Sequence, residues 1–194
     1  MGRSKEFDEA AVLRKAMEVF GQYGYDGTSL PQLLSGLGIA RQSLYDTYGT
    51  KRDLFISAVK HYTNEKSESV ITLLQDHPSV KEAAAAIFHE GAAVLKDERR
   101  RNECFIIHSA MDRVPHDEEI AAFFNEDLER LGRAFEAALL RGQEQGEIAD
   151  SLNVKALSDY LVHARYALIS TAKMTSAPAV LDHIVDTILL LLDR

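Results

Sequence analysis

The sequence predicts an all-α fold of about nine helices, and three observations carry that prediction. Apolar residues recur at spacings of three and four along nearly the whole chain. No run of Val, Ile and Thr alternates with polar residues over a strand length. Capping residues, prolines and glycines fall where helices of ordinary length start and stop. The chain has 194 residues, 46% hydrophobic and 27% charged, with 11 Gly and 4 Pro. That composition excludes disordered, collagen-like and low-complexity readings, because enough apolar surface exists to offset chain entropy.

The elements follow in order. Leu13, Ala16, Met17 and Phe20, flanked by Val12 and Val19, mark a first helix from about Phe7 to Tyr23. Gly24 and Gly27 end it. Ser29-Leu30-Pro31-Gln32 is a capping box with proline in the first turn. Leu30, Leu33, Leu34 and Leu37 then form a short second helix, stopped by Gly36 and Gly38. Ile39 precedes a third short helix, Ala40 to Thr47. Thr50-Lys51-Arg52-Asp53 caps a long fourth helix that buries Leu54, Phe55, Ala58, Val59 and Tyr62. Ser79-Val80-Lys81-Glu82 opens a fifth after Pro78, and a sixth runs from about Glu103 to Arg113, before Pro115. A seventh begins near His116 or Asp117 and reaches Gly142 or Gly146. An eighth covers Asn153 to Met174, and a ninth starts at Pro178.

Charge and cysteine usage narrow the function. Net charge is −8 and the pI about 5.4, which taken whole argues against nucleic acid. Residues 1–60, however, carry eight Lys/Arg against seven Asp/Glu, while the rest carries fourteen against twenty-three. A near-neutral head with clustered cations can face phosphate while the acidic body keeps the molecule soluble. The single cysteine, Cys104, excludes an intramolecular disulfide and a CxxC metal site, and a reducing cytoplasm is the expected compartment. No apolar leader segment follows Met1, and the run Ile188 to Leu192 is far below the ~18 residues of a membrane span.

The informative stretch is Leu30 to Gly49. Two short helices flank a turn built on Gly38, with Ile39 and Leu44 placed to pack them at a steep angle. A helix-turn-helix of this kind offers Arg41, Gln42, Ser43 and Tyr45 to a major groove. Arginine reads guanine, glutamine reads adenine, and serine reads either base or bonds phosphate.

The run Phe20-Gly21-Gln22-Tyr23-Gly24-Tyr25-Asp26-Gly27-Thr28-Ser29, followed by Gly38-Ile39-Ala40-Arg41-Gln42-Ser43-Leu44-Tyr45-Asp46-Thr47-Tyr48-Gly49-Thr50-Lys51, resembles the TetR family of bacterial transcriptional repressors. The likeness covers about residues 7–60, and Cys104 to Phe124 resembles a segment of that family's sixth and seventh helices. The resemblance implies a homodimer on a palindromic double-stranded DNA operator, released by a small-molecule effector in the helical body. It implies a DNA-binding domain over residues 1–50 and a ligand-binding and dimerisation domain over residues 51–194. Thr28 and Ser29 would bond phosphate at the head of the second helix, Arg41, Gln42 and Ser43 would face bases, and Tyr45 and Lys51 would hold phosphates on either side. Arg3 or Lys5 would add a cation near the backbone. Leu34, Ala40, Thr47 and Asp46 depart from the family pattern and bear on the operator sequence rather than on the fold.

In the body, Phe88, Cys104, His108, Met111, Tyr160, His163 and Tyr166 are expected to line a cavity among the fifth to eighth helices. Cys104 is read as a small buried hydrophobe rather than a redox sensor, since Glu103 beside it disfavours the thiolate. The histidines have no metal-binding spacing, so no metal is expected. The last helix is apolar nearly all round, which predicts a two-fold interface. Its members are Leu157, Leu161, Ala164 and Leu168 on the eighth helix and Leu181, Ile184, Ile188 and Leu192 at the end. No catalytic motif or cofactor loop occurs. An enzyme with a helical body, or an interaction protein that leaves the head unused, are the rival classes.

Overall fold

The computed structural model describes residues 8–174 and 177–193. Phe7, the expected start of the first helix, lies outside them. Among the described residues the chain forms nine α-helices and no strand, as the periodicity predicts. They are α1 (Glu9–Tyr23), α2 (Leu30–Leu37), α3 (Arg41–Tyr48), α4 (Lys51–Asp76), α5 (Val80–Lys96), α6 (Arg101–Met111), α7 (Glu118–Glu144), α8 (Val154–Met174) and α9 (Pro178–Leu190).

The predicted start signals act as caps. Asp8 accepts from Ala10 N at 3.0 Å to open α1. Ser29 and Gln32 form the reciprocal capping box of α2. Thr50 and Asp53 do the same for α4, with Thr50 N donating to Asp53 Oδ2 at 2.8 Å and Asp53 N to Thr50 Oγ1 at 3.2 Å. The seventh helix, expected to begin near His116 or Asp117, starts within a residue of that place, with Glu118 and Glu119 in its first turn. A 3-10 turn, Val114–His116, absorbs Pro115, and Asp117 in extended conformation accepts from Ile120 N at 3.3 Å, so α7 begins at Glu118.

Two compact units emerge. One comprises the described residues up to Asn64 together with Asn102–Ala121; the other comprises Glu65–Arg101 and the described residues from Ala122 on.

In the first unit, Ala16, Met17 and Phe20 of α1 are buried with Leu33 and Leu37 of α2, Leu44 of α3, and Leu54, Phe55, Ala58 and Val59 of α4. Ile106 and Ala110 of α6 complete this core. The rings of Phe20 and Phe55 meet edge-on at 5.0 Å. Two glycines permit close helix approach. A Cβ on Gly21 would stand 1.7 Å from the Asn102 carbonyl oxygen, so α1 and the start of α6 touch backbone to backbone there. A Cβ on Gly36 would stand 2.6 Å from Val19, which sets the α1–α2 approach.

In the second unit, α5, α7, α8 and α9 bury Ala84, Phe88, Leu131, Phe135, Leu139, Leu161, Val185 and Ile188. The N-terminus of α5 is held from the α7–α8 connection: Val80 N and Lys81 N donate to the Glu147 carboxylate at 2.9 and 3.1 Å, and Ser79 Oγ donates to it too. A buried polar knot lies among apolar neighbours. Ser67 Oγ and Arg130 each donate to Asp127 at 2.9 Å, and the Tyr166 hydroxyl lies 3.4 Å from the same carboxylate. Burial and that carboxylate push the Tyr166 hydroxyl up to about 12.

Most of the residues expected at a two-fold interface pack into the core of their own chain. Leu157, Leu161, Ala164, Leu168, Leu181, Ile188 and Leu192 are buried within the single chain, and Ile184 is half-buried. These side chains are largely covered by their own protomer. The exposed stripe of α8 is instead Ala156, Tyr160, His163 and Ala167, and that of α9 includes Val180, His183 and Leu190.

Candidate nucleic-acid interface

The turn between α2 and α3 is built on one left-handed residue. Gly38 has φ 69° and ψ 30°, and its N–H closes α2 on the Leu34 carbonyl at 3.0 Å. A chiral residue resists that backbone conformation. Lys15 Nζ reaches the Leu37 carbonyl at 3.5 Å and satisfies another terminal acceptor of α2. Chain direction then changes through Ile39 and Ala40, and α3 starts with no side-chain cap. Leu44 is the buried residue of α3, and it pins the helix to the core.

Pinning at Leu44 turns the opposite face outward. Arg41, Gln42, Tyr45 and Asp46 are exposed, and Ser43 is half-buried. The Arg41 guanidinium lies 5.6 Å from the Tyr45 ring centroid. Gln42 Nε2 donates to Asp46 Oδ1 at 2.7 Å, which fixes the amide and leaves its carbonyl oxygen facing away from that bond. The face thus presents planar donors, an amide and a phenol, the groups that recognise base edges and phosphates.

The flanking positions divide. Ser29 is exposed at the N-cap of α2, where Gln32 N donates to its hydroxyl and Leu33 N to its carbonyl. Thr28 needs correction: it is buried, and its hydroxyl donates to the Gly24 carbonyl at 2.6 Å, so the side chain holds the α1–α2 turn rather than reaching a phosphate. Lys51, at the first position of α4, lies with Nζ 4.4 Å from the Tyr25 ring centroid. Burial pulls its pKa down, Asp26 pushes it up, and Arg113 pulls it down again. Arg3 and Lys5 lie outside the described residues.

Sequence reasoning missed the charged groups that hold this unit together. Arg52 donates in bidentate fashion to Asp117, Nε to Oδ2 at 2.9 Å and Nη2 to Oδ1 at 2.8 Å. That guanidinium holds the Asp117 carboxyl below the usual carboxylate range. Arg52 also reaches Glu119 at 3.2 Å, and Lys60 reaches the same carboxylate at 2.9 Å. The start of α4 is therefore bonded to the start of α7. Acidic residues at a helix start read as dipole partners in sequence; nothing local reveals an arginine 65 positions away.

The expected cavity residues of the body fall in both units. Cys104, His108 and Met111 belong to the first unit, and Phe88, Tyr160, His163 and Tyr166 to the second. Cys104 is buried and accepts from the Tyr62 hydroxyl at 2.8 Å. His108 is half-buried, with Asp112 at 3.7 Å. Phe88 is buried, and Tyr166 joins the Asp127 knot. Met111, Tyr160 and His163 were expected on inner faces and instead lie on the surface. The reason for α8 is register. Leu157, Leu161, Ala164 and Leu168 occupy its inner stripe, so Tyr160 and His163 fall outward. His163 lines a groove of about 270 Å³ with Leu128, Gly132, Arg133, Lys155 and Asp159.

Comparison with known proteins matches this geometry. The model of the "Bacterial regulatory proteins, tetR family" matches residues 12–58, the stretch from α1 into α4. The uncharacterized HTH-type transcriptional regulator YezE of Bacillus subtilis (strain 168) is 51% identical over 194 residues, 100% of both chains. The HTH-type transcriptional repressor ComR of Escherichia coli (strain K12) is 29% identical over 161 residues, 82% of this chain and 77% of its own. A cysteine-substituted form of the TetR family regulator CifR, solved with 26 bp double-strand operator DNA, superposes with a TM-score of 0.82. It is 26% identical over 97% of this chain and 98% of its own. With a match of 51% along the full length and a tetR-family head over α1 to α4, this chain belongs to the TetR family and is a transcriptional regulator.

Proposed function

We propose that the protein is a dimeric repressor that binds a palindromic operator and is released by a small-molecule effector. The observation that carries this reading is the left-handed turn at Gly38, which delivers α3 with Arg41, Gln42 and Tyr45 uncovered beside the Ser29 cap. In this reading Arg41, Gln42 and Ser43 meet bases, and Ser29, Tyr45 and Lys51 meet phosphates. Residues 1–50, joined by Lys51 at the start of α4, carry DNA recognition, and the rest of residues 51–194 carries effector and partner. The exposed stripes of α8 and α9, with Tyr160, His163, Val180 and Leu190, are the surface offered to the second protomer. The protein acts in the cytoplasm without catalytic turnover; among the described residues no helix is long and apolar enough to cross a membrane.

The effector selects one spacing of the two heads. Half-sites about one helical turn apart (~34–36 Å) tolerate little change in that spacing. The test is selection of bound sequences from random duplex DNA near physiological salt. An enriched palindrome is the expected result, and its affinity should fall steeply with salt. A folded dimer that enriches nothing, even after unfolding and refolding free of small molecules, would instead favour an interaction protein with an unused head.

A further inference from the structure

The Tyr25 ring is shared by two cations. Lys51 Nζ lies 4.4 Å from its centroid and Arg113 Cζ 4.8 Å. Phe55 packs on the same ring at 4.8 Å, so the ring itself is held in place by the core. Asp26, the next residue, lies 3.7 Å from the Arg113 guanidinium. Asp26 is otherwise open to solvent, whereas Arg113 is mostly covered. This carboxylate thus pairs with Arg113 and also acts through space on a second cation, the lysine at the start of α4. Arg113 comes from the loop after α6, far along the chain.

The geometry points to Arg113 as a positioning residue for DNA binding: it occupies Asp26 and the Tyr25 ring, and so leaves the Lys51 ammonium free to move to a phosphate. This rests on the reading of Lys51 as a phosphate contact.

The physical argument compares two partners for one carboxylate. With Arg113 present, part of the Asp26 charge is offset by the nearer cation, and like-charge repulsion across the ring disfavours keeping Lys51 there. A cation held only by a ring face gives up little on leaving it for a charged phosphate oxygen. Without Arg113, Asp26 is left beside the lysine. A Lys51–Asp26 pair would then compete with the phosphate. A shift of the loop after α6 that withdraws Arg113 would have the same effect as deleting it. Arg113 therefore adds a cation to the head without itself needing to touch DNA.

The experiment uses the full chain and a fluorescent duplex of random sequence, with affinity measured against salt concentration. Phosphate contacts dominate such binding, so no operator is needed. Lys51→Ala comes first, and a shallower salt slope is expected. An unchanged slope would remove the lysine contact and the proposal with it. If Lys51→Ala flattens the slope, Arg113→Ala should weaken binding about tenfold, as loss of a charged hydrogen bond would. It should also flatten the slope by about 2 per dimer, one phosphate for each head. Arg113→Ala should add nothing in the Lys51→Ala background. Adding Asp26→Asn to Arg113→Ala should restore both affinity and slope, because no carboxylate then competes for the lysine. Parental affinity for Arg113→Ala would overturn the role of Arg113 alone. So would additive losses in the Lys51→Ala background, or failure of Asp26→Asn to rescue, since both describe an arginine that merely supports the loop.

Discussion

Helices α2 and α3 are neighbours of equal length, eight residues each, yet they are secured differently. α2 has a reciprocal capping box at one end, a left-handed glycine at the other and two buried leucines. α3 has an alanine at its N-cap with no side-chain bond, and Leu44 as its buried residue. An isolated eight-residue helix is far too short to be stable in water. α2 is therefore specified by its own residues, and α3 by its fixed neighbour and one anchor. A helix whose polar groups are spent on its own ends has few left to offer. In α3 those groups remain on the exposed face, except where Gln42 binds Asp46.

The largest break in that comparison should come at the anchor. Leu44→Ala should destabilise the first unit by about 2–5 kcal/mol, as truncation of a fully buried leucine does, and abolish DNA binding. Denaturant unfolding of the full chain measures it, and a loss below about 1 kcal/mol would show that α3 has other support. Next in size is Arg41→Ala. It should leave the unfolding midpoint unchanged, because the side chain is exposed. Its effect should be to relax base preference at one operator position by about 1–3 kcal/mol, read by competition between duplexes. Equal losses on operator and random DNA would place Arg41 on a phosphate instead. The smallest effects concern the caps. Ser29→Ala should cost about 1 kcal/mol and Ala40→Ser should gain somewhat less, since one deletes a working cap and the other supplies a missing one. A stabilised head that also binds DNA more tightly would show that fraying of α3 opposes binding in the parent.

Much of this contrast is legible in sequence, because it depends on short-range chemistry. Ser29 with Gln32, Thr50 with Asp53, and Gly38 are signals that lie within a few residues of their partners. Helix register is equally local, and it predicts that Leu157, Leu161, Ala164 and Leu168 share a face. What covers that face is not local. An apolar stripe looks the same whether its own chain or a second copy buries it, and here its own chain does. Tyr160 and His163 illustrate the same loss of information from the other side: mixed polar and aromatic character suits a pocket wall and an exposed face alike. Thr28 shows the same limit, since a hydroxyl that bonds Gly24 and one that awaits a phosphate are the same residue in sequence. Arg52 with Asp117, and Arg113 with Tyr25, join segments that only the folded chain brings together.

The contact of Gly21 with the Asn102 backbone also bears on how the molecule is made. The unit that contains α2 and α3 is discontinuous: its chain departs after Asn64 and returns at Asn102. During synthesis, a ribosome releases α1, α2 and α3 well before α6 exists. The nascent head must wait, with the Phe20 face of α1 lacking its α6 partner, until residues 65–101 have been added and looped out. Closing a loop of that length costs only slightly more than closing one half as long, so the delay is one of elongation time rather than of free energy. A message truncated within residues 65–101 would therefore yield a product with α3 present but the core of its unit incomplete, a substrate for proteolysis.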